Sequence, residues 1–193
     1  KGDSVILAVV KDPGGTNAVL PVVEGLRKRG GNVRLLANGA AVKLLVEKGV
    51  AHENFSFEDA AELVRSSSCE FFLTSMCSDG GIGLDLIPVA RDAGVLTIAV
   101  QDFWGARLKK EFGDPTFWPD FLLAPDEVGA QLVRKSWVGW CGQVLVTGWI
   151  AFDQLATLDC DGARSAFREQ FALREPWPVV LFAGQIERTL EVL

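Results

Sequence analysis

The stretch Val5-Ile6-Leu7-Ala8-Val9-Val10-Lys11-Asp12-Pro13-Gly14-Gly15-Thr16-Asn17 decides the fold of this chain. It opens with an unbroken apolar run, which is typical of a strand buried on both faces. Two glycines and a helix-like stretch follow the run. A strand, a glycine turn and a helix in this order aim backbone N–H groups at an anionic or sugar-like ligand. A tight turn with a helix cap is the alternative interpretation of the same residues.

The alternation of strand and helix continues outward along the chain. Strands are predicted at 4–10, 32–36, 54–57, 70–74, 95–100, 120–124, 143–147 and 178–183, and helices at 16–29, 39–48, 58–66, 83–93, 126–138 and 160–172. Residues 101–119 are predicted to form a long irregular segment. The fold class is therefore α/β: an open, doubly wound, Rossmann-like parallel sheet with helices on both faces.

Composition narrows the class of protein. The 193 residues, 49% of them hydrophobic, can build one well-sized core. A net charge of −6 argues against nucleic-acid binding. No apolar run is long enough for a membrane span, and no signal peptide is predicted, so we expect a cytoplasmic protein. The four cysteines lack C-x-x-C spacing and there is one histidine, so we expect no metal site, no cofactor and reduced thiols.

The last residues suggest a second domain. Residues 174–178 resemble a linker, and the apolar run 179–183 is predicted to start a new strand. One strand cannot form a sheet, so it either extends the first sheet or begins a second α/β domain. We favour the second interpretation and expect a fragment with three parts: a Rossmann-like domain at 1–153, a helix and linker at 154–178, and a truncated second domain at 179–193.

The first candidate site residues lie in the glycine loop after the first strand. In an open parallel sheet, ligands bind outside the carboxyl ends of the strands. Glycines there permit close backbone approach or a positive φ, and a threonine or asparagine side chain can cap the next helix. A dinucleotide site is disfavoured because G-x-G-x-x-G is absent. The predicted ligand-binding residues of this loop are Gly14, Gly15, Thr16 and Asn17.

A second glycine loop, residues 75–83, follows the predicted strand 70–74. Its hydroxyls, carboxylate and backbone amides suit sugar hydroxyls or phosphate. Ser78 and Gly80 are predicted to bind ligand, and Asp79 is predicted either to act as a base or only to cap the helix. No G-x-S-x-G supports a hydrolase.

The irregular segment and the loop after residue 147 supply the remaining candidates. Asp102 stands at a strand end and is the preferred base for deprotonating an acceptor hydroxyl. Gln101 and Trp104 beside it are predicted to bind ligand. The nearby aromatic residues either form a carbohydrate site or pack the loop onto the sheet. Gly148 is predicted to bind ligand at a hinge or plain turn.

Three segments together resemble the N-terminal half of GT-B glycosyltransferase-like proteins. They are Asp12–Asn17, Val100-Gln101-Asp102-Phe103-Trp104, and Val146-Thr147-Gly148-Trp149-Ile150-Ala151-Phe152-Asp153. The group includes UDP-N-acetylglucosamine 2-epimerase-like enzymes and CDP-glycerol-type transferases. The last segment is similar to the "VTG-x-P-x-FD" segment of that group, although Ile150 and Ala151 stand where a proline is common.

The resemblance implies one half of a GT-B architecture, with the active site between two Rossmann-like domains. It implies an acceptor-side domain, inactive alone, in polysaccharide precursor synthesis. The implied partners are a nucleotide-sugar donor, bound mainly by a missing C-terminal domain, and a sugar or lipid-linked acceptor. The resemblance is also compatible with peripheral contact of the protein at the inner membrane face. The alternatives are a stand-alone Rossmann-like binding or regulatory module and, last, a complete hydrolase, which lacks a recognisable nucleophile–base pair.

Overall fold

A computed structural model describes residues 4–66, 68–76, 81–102, 113–174 and 178–180. The predicted site residues Ser78, Asp79, Gly80 and Trp104 lie outside the described residues. The chain divides into two compact units, residues 1–153 and 154–193.

The first unit holds seven strands and five α-helices among its described residues. The strands are β1 (Val5–Val10), β2 (Val33–Ala37), β3 (Glu53–Asn54), β4 (Cys69–Ser75), β5 (Leu96–Val100), β6 (Phe121–Ala124) and β7 (Gln143–Val146). The helices are α1 (Pro13–Lys28), α2 (Ala40–Glu47), α3 (Phe57–Arg65), α4 (Ile82–Asp92) and α5 (Glu127–Ser136). One turn of 3₁₀ helix spans Pro115–Phe117, and another 3₁₀ stretch, Ile150–Thr157, crosses into the second unit.

The strands form one parallel sheet in the order β3-β2-β1-β4-β5-β6-β7. The predicted α/β, Rossmann-like fold is confirmed. The chain leaves β1 toward β2 on one side and returns to β4 on the other, so the strand order reverses between β1 and β4. Such a switch point opens a crevice at the carboxyl ends of the strands.

The two faces of the sheet carry separate hydrophobic cores. Leu7 and Val9 of β1 pack in the core that includes α3, α4 and α5. Ile6, Ala8 and Val10 pack in the core that includes α1 and α2. Because alternate residues of one strand serve opposite cores, every position of β1 must be apolar. This is the physical origin of the unbroken run in the sequence.

Helix α1 begins earlier than predicted. It starts at Pro13, not Thr16, and Asp12 rather than Thr16 or Asn17 is its N-cap. The Asp12 carboxylate accepts a hydrogen bond of 2.9 Å from the Gly15 N–H. Aspartate is a strong N-cap and proline suits the first helical position, since its φ is fixed and no N–H is needed there. The glycine turn is therefore the first turn of the helix.

Two other boundaries also differ from the prediction. Strand β3 is Glu53–Asn54, and Phe57, predicted as the last strand residue, begins α3 instead. Ser56 and Asp59 form a capping box that starts the helix there. Residues 178–180 have no strand structure, and the remainder of the predicted strand 178–183 lies outside the described residues.

The described part of the second unit consists mainly of α6 (Cys160–Gln170), none of whose residues is buried. Asp159 caps α6 by accepting from the Gly162 N–H at 3.0 Å. Phe167 and Phe171 contact each other with ring centroids 4.7 Å apart. In the described part of the chain, no helix is both long and apolar enough to cross a membrane.

A hydrogen-bonded pair, Thr97 and Asp120, joins β5 to the start of β6. The Asp120 carboxylate accepts from the Thr97 N–H at 2.8 Å and from the Thr97 hydroxyl at 2.7 Å, and that hydroxyl accepts from the Asp120 N–H at 2.8 Å. Thr97 is completely buried. The Thr97 hydroxyl therefore provides a hydrogen-bond partner for both the carboxylate and the N–H of Asp120.

Thr97→Val should lower the free energy of unfolding by about 1–2 kcal/mol, because the Asp120 N–H loses its partner without a change in side-chain volume. Urea denaturation measures this loss. Thr147→Val is the matched control, since Thr147 is exposed and its hydroxyl makes only bonds of 3.4 and 3.5 Å. An equal loss of unfolding free energy in Thr97→Val and Thr147→Val would contradict this role of the Thr97 hydroxyl.

Candidate functional site at the carboxyl edge

The switch point brings the start of α1 directly against β4. A Cβ added to Gly15 would lie 2.0 Å from Ser75 Oγ and 2.8 Å from Ser75 Cβ. Gly15 and Ser75 are both buried. Gly15 has no positive φ, so close approach of the helix, and not an unusual backbone conformation, requires glycine here.

Two carboxyl groups face each other around Gly14. A Cβ added to Gly14 would lie 3.2 Å from Asp12 Oδ1 and 3.2 Å from Asp102 Oδ2. Asp12 Oδ1 and Asp102 Oδ2 are therefore at most twice 3.2 Å apart. Asp12 follows β1 and Asp102 follows β5, so the pair spans the carboxyl end of β4. The exposed Gly14 backbone lies between them.

The environment of the pair favours a neutral Asp102. Burial, reinforced by the negative charge of Asp12, raises the pKa of Asp102 to about 7. Among the described residues, no hydrogen-bond donor reaches Asp12 Oδ2 or Asp102 Oδ1, and both oxygens are buried. A carboxyl group with such a pKa can exchange a proton near neutral pH.

The first turn of α1 uses most of its own hydrogen-bonding groups. The Gly15 N–H donates to the Asp12 carboxylate, and the Thr16 N–H donates to the Asp12 carbonyl at 2.9 Å. The Thr16 hydroxyl donates to the same carbonyl at 2.6 Å, and Thr16 is completely buried. Thr16 thus faces the protein interior, while Asn17 is half-buried.

A basic residue lies on the other side of the switch point. The Lys11 side chain crosses the start of α4, where a Cβ added to Gly81 would lie 2.8 Å from Lys11 Nζ. Burial raises the pKa of Asp85 in α4, and the Lys11 charge opposes that shift. Among the described residues, the α1 side of the switch point therefore carries two carboxyl groups, and the α4 side carries Lys11 together with Asp85.

Two predicted site residues lie away from the carboxyl pair. The buried Gln101 side chain points toward α5, where its Oε1 would lie 3.1 Å from a Cβ added to Gly129. Gly148 follows β7, at the far side of the sheet from β1, and has a positive φ of 83°. Gly148 thus allows the sharp change of direction expected of it.

Comparison with solved structures identifies the fold. The chain matches a co-structure of S. aureus MnaA with UDP (TM-score 0.59, 14% identity, covering 88% of this chain and 50% of that one). It also matches a glycosyltransferase from Rickettsia africae ESF-5 (TM-score 0.59, 14% identity, 92% and 52% covered). A third match is a UDP-N-acetylglucosamine 2-epimerase (TM-score 0.58, 14% identity, 80% and 51% covered). The chain has the fold of an N-terminal GT-B-like domain.

This GT-B-like domain spans about half the length of each of those three structures. No family model and no curated protein matches its sequence. Of the site residues predicted from the sequence, the structure brings Gly14, Gly15 and Asp102 together. It adds Asp12, a residue of the glycine loop that the sequence alone does not single out as a site residue. The signal for Asp12 was the order aspartate, proline, glycine at a helix start.

Three described tryptophans of the GT-B-like domain lie together at the opposite, amino edge of the sheet. Trp118 stacks on Trp137 at 5.3 Å, and Trp140 meets Trp137 edge-on at 4.9 Å. Trp118 and Trp140 line a cavity of about 490 Å³, together with Arg91 and Asp120. Trp118 is buried in the core. The expectation that aromatic side chains pack this segment onto the sheet therefore holds for Trp118. Within the described residues, no group of three or more His, Cys, Asp or Glu is placed to hold a metal ion.

Proposed function

We propose that this chain is the acceptor-side domain of a GT-B-like glycosyltransferase or nucleotide-sugar epimerase that acts in polysaccharide precursor synthesis. The pairing of Asp12 with Asp102 at the switch point supports the proposal most. It supplies a carboxyl group with a pKa of about 7 where α/β sheets bind ligands. The three structural matches are titled as an MnaA–UDP co-structure, a glycosyltransferase and a UDP-N-acetylglucosamine 2-epimerase. These titles support nucleotide-sugar chemistry.

Asp102 is the proposed base. In a transfer, its carboxylate takes the proton of an acceptor hydroxyl while the hydroxyl oxygen forms a bond to the anomeric carbon of the donor. The bond from that carbon to the nucleotide breaks, and the nucleotide leaves with the electron pair. A base with a pKa close to the working pH suits this role. Stabilisation of the leaving nucleotide falls to another domain.

The donor is held mainly by a second α/β domain, and the 193-residue chain is inactive alone. Residues 1–153 form the acceptor domain, 154–178 a helix and linker, and 179–193 the start of the second domain. The acceptor is a sugar or a lipid-linked sugar. The protein works in the cytoplasm, with peripheral contact at the inner membrane face when the acceptor is lipid-linked.

Thermal-shift measurements with UDP-sugars and CDP-glycerol test this proposal on the product of the complete reading frame and on the 193-residue chain. The complete product should gain about 2.7 kcal/mol from a nucleotide present at a hundredfold excess over its Kd. The chain alone should gain much less. Failure of every nucleotide to stabilise the complete product would contradict the proposal. Stabilisation of the chain alone, without turnover, would favour a stand-alone binding module.

A further inference from the structure

The cavity at the amino edge of the sheet has no part in the proposed reaction. Its volume of about 490 Å³ falls in the range of pockets that hold small molecules. Its walls come from the last turn of α4, from the segment before β6 and from the segment between α5 and β7. The described residues that line it include Arg91, Pro115, Asp120, Val138, Trp140 and Gln143.

Three neighbours hold the Trp140 ring on the cavity wall. The Trp140 Nε1–H donates to the Pro119 carbonyl at 2.8 Å. The Trp140 ring also meets the Trp137 ring edge-on, with the two centroids 4.9 Å apart. A Cβ added to Gly142 would lie 2.4 Å from Trp140 Cε2 and Cζ2, so glycine at this position leaves room for the ring. An aromatic ring that is already fixed loses little rotamer freedom when a ligand binds.

Two polar side chains of the cavity are also held by the fold and keep one group for a ligand. Thr97 holds Asp120 through Oδ2, while Asp120 Oδ1 bonds no described residue. The Arg91 guanidinium donates to the Trp118 carbonyl, and to the Pro115 carbonyl at 3.5 Å. The Arg91 Nε–H bonds no described residue. The cavity therefore presents a positioned acceptor and a positioned donor.

The polar groups of the cavity favour a neutral ligand that carries hydroxyl groups. Arg91 supplies only donors and Asp120 supplies only acceptors, and their charges are opposite. The exposed Gln143 amide supplies both donors and an acceptor. A hydroxyl group also donates and accepts, so the hydroxyls of one rigid ring can satisfy all three side chains. The apolar C–H face of the same ring can lie on the Trp140 indole or against Val138.

We infer that this cavity binds a neutral saccharide, whose pyranose ring lies on Trp140 and whose hydroxyl groups bond Arg91 and Asp120. The candidate base Asp102 follows β5 at the carboxyl edge, so the cavity holds sugar units that do not react. This inference goes beyond the proposed function and does not depend on it, because the cavity needs neither a nucleotide nor a second domain.

Other classes of small ligand fit the same walls less well. A phosphate or carboxylate would pair with Arg91 but would be repelled by Asp120, and an ammonium group would meet the reverse situation. A purely apolar ligand would cover Asp120 Oδ1 and Arg91 Nε without giving either a hydrogen-bond partner, which is costly. A neutral ring with several hydroxyl groups avoids both penalties.

NMR titration of the 193-residue chain tests the site, with cellobiose, lactose and N,N′-diacetylchitobiose as probes. At least one of these neutral disaccharides should give a saturable shift of the Trp140 indole N–H and of the amides of residues 139–143. The expected Kd is on the order of 1 mM. Inorganic phosphate should give no saturable shift there. No response to any of the three disaccharides, or a saturable response to phosphate, would overturn the inference.

Gln143→Ala tests a polar contact without disturbing the fold, because the Gln143 side chain is exposed. It should weaken binding of the responding disaccharide about threefold to tenfold. Gln131→Ala is the matched control, since Gln131 is an exposed glutamine of α5. The control should leave the Kd unchanged. Equal affinities in the wild-type chain and Gln143→Ala would overturn the contact.

Two substitutions of Trp140 separate ring stacking from a loss of structure. Both remove the indole bond to Pro119, but Trp140→Phe keeps an aromatic face and Trp140→Leu does not. Trp140→Leu should weaken binding about tenfold, and Trp140→Phe should stay within about threefold of the wild-type Kd. Equal losses in the two variants, or no loss in Trp140→Leu, would overturn the stacking.

The position of the NMR shifts separates this inference from the proposed function. Shifts confined to residues 11–17 and 100–102, at the carboxyl edge, would overturn the amino-edge site and would leave the proposed acceptor site standing. Shifts at residues 139–143 would support the amino-edge site even if no nucleotide stabilised the complete protein in the thermal-shift measurements.

Discussion

Asp102→Asn should increase the free energy of unfolding above pH 7 by roughly 2–4 kcal/mol and leave it nearly unchanged at pH 4. The folded state raises the pKa of Asp102 from its ordinary value of 3.8 to about 7. The folded chain therefore holds a proton that the unfolded chain releases. Wild-type stability from this group is complete below pH 3.8 and is lost as pH rises through 7. Asparagine does not ionise, so the variant escapes that loss.

Urea denaturation at pH 4 and pH 8 measures the effect as a difference between variant and wild type, which cancels the titration of other groups. Thr147→Val is the control, since Thr147 is exposed and carries no titratable group. Its difference from wild type should not depend on pH. An Asp102→Asn difference that is the same at both pH values would show that Asp102 is not held neutral by the fold.

The same substitution should lower the turnover of the complete protein by about 10²–10⁴-fold, because asparagine cannot accept the acceptor proton. Steady-state kinetics with nucleotide sugar should show the loss in kcat, with donor stabilisation retained. Greater stability together with lost turnover is the expected signature of a strained functional group. Full turnover in Asp102→Asn would show that Asp102 is not the base.

Gly15→Ala should lower the free energy of unfolding by about 2–3 kcal/mol through overpacking. Its new Cβ would lie 2.8 Å from Ser75 Cβ, an atom that cannot move without the β4 backbone. Gly25→Ala is the matched control in the same helix, because the nearest atom to its Cβ, on the flexible Arg29 side chain, is 3.5 Å away. That change should be stabilising by about 0.5–1 kcal/mol, since alanine favours helix over glycine.

A double variant separates the clash from other effects of Gly15→Ala. Ser75→Gly removes both atoms that the new Cβ would meet. Gly15→Ala/Ser75→Gly should therefore be more stable than the sum of the two single changes predicts. Strict additivity in urea denaturation would contradict direct packing of α1 on β4.

The sheet was predictable from sequence because its physical cause is local. The β1 residues serve two cores, so their apolar run has no polar interruption. The sequence predicts the start of α1 three residues too late, because two adjacent glycines, Gly14 and Gly15, are typical of a turn. The Asp12 cap and Pro13 carry the stronger signal. Residues 13–15 are thus helical despite two poor helix formers.

The carboxyl pair was only half predictable. Asp102 was proposed because it ends a strand. Its partner depends on strand order, since Asp12 and Asp102 come near each other because β5 lies only one strand away from β1. The strand order of the sheet cannot be derived from any residue spacing in the sequence. Trp118 shows the same limit, since its position before β6 is evident from the sequence but its stacking on Trp137, which follows α5, is not.

Hydrogen–deuterium exchange on the product of the complete reading frame, with and without N-acetylglucosamine as a stand-in for the sugar acceptor, tests most directly where the acceptor binds. The account predicts added protection at the carboxyl edge, in peptides that cover 11–17, 74–76 and 100–102. Protection confined to the amino edge, around Trp118 and Trp140, would contradict it.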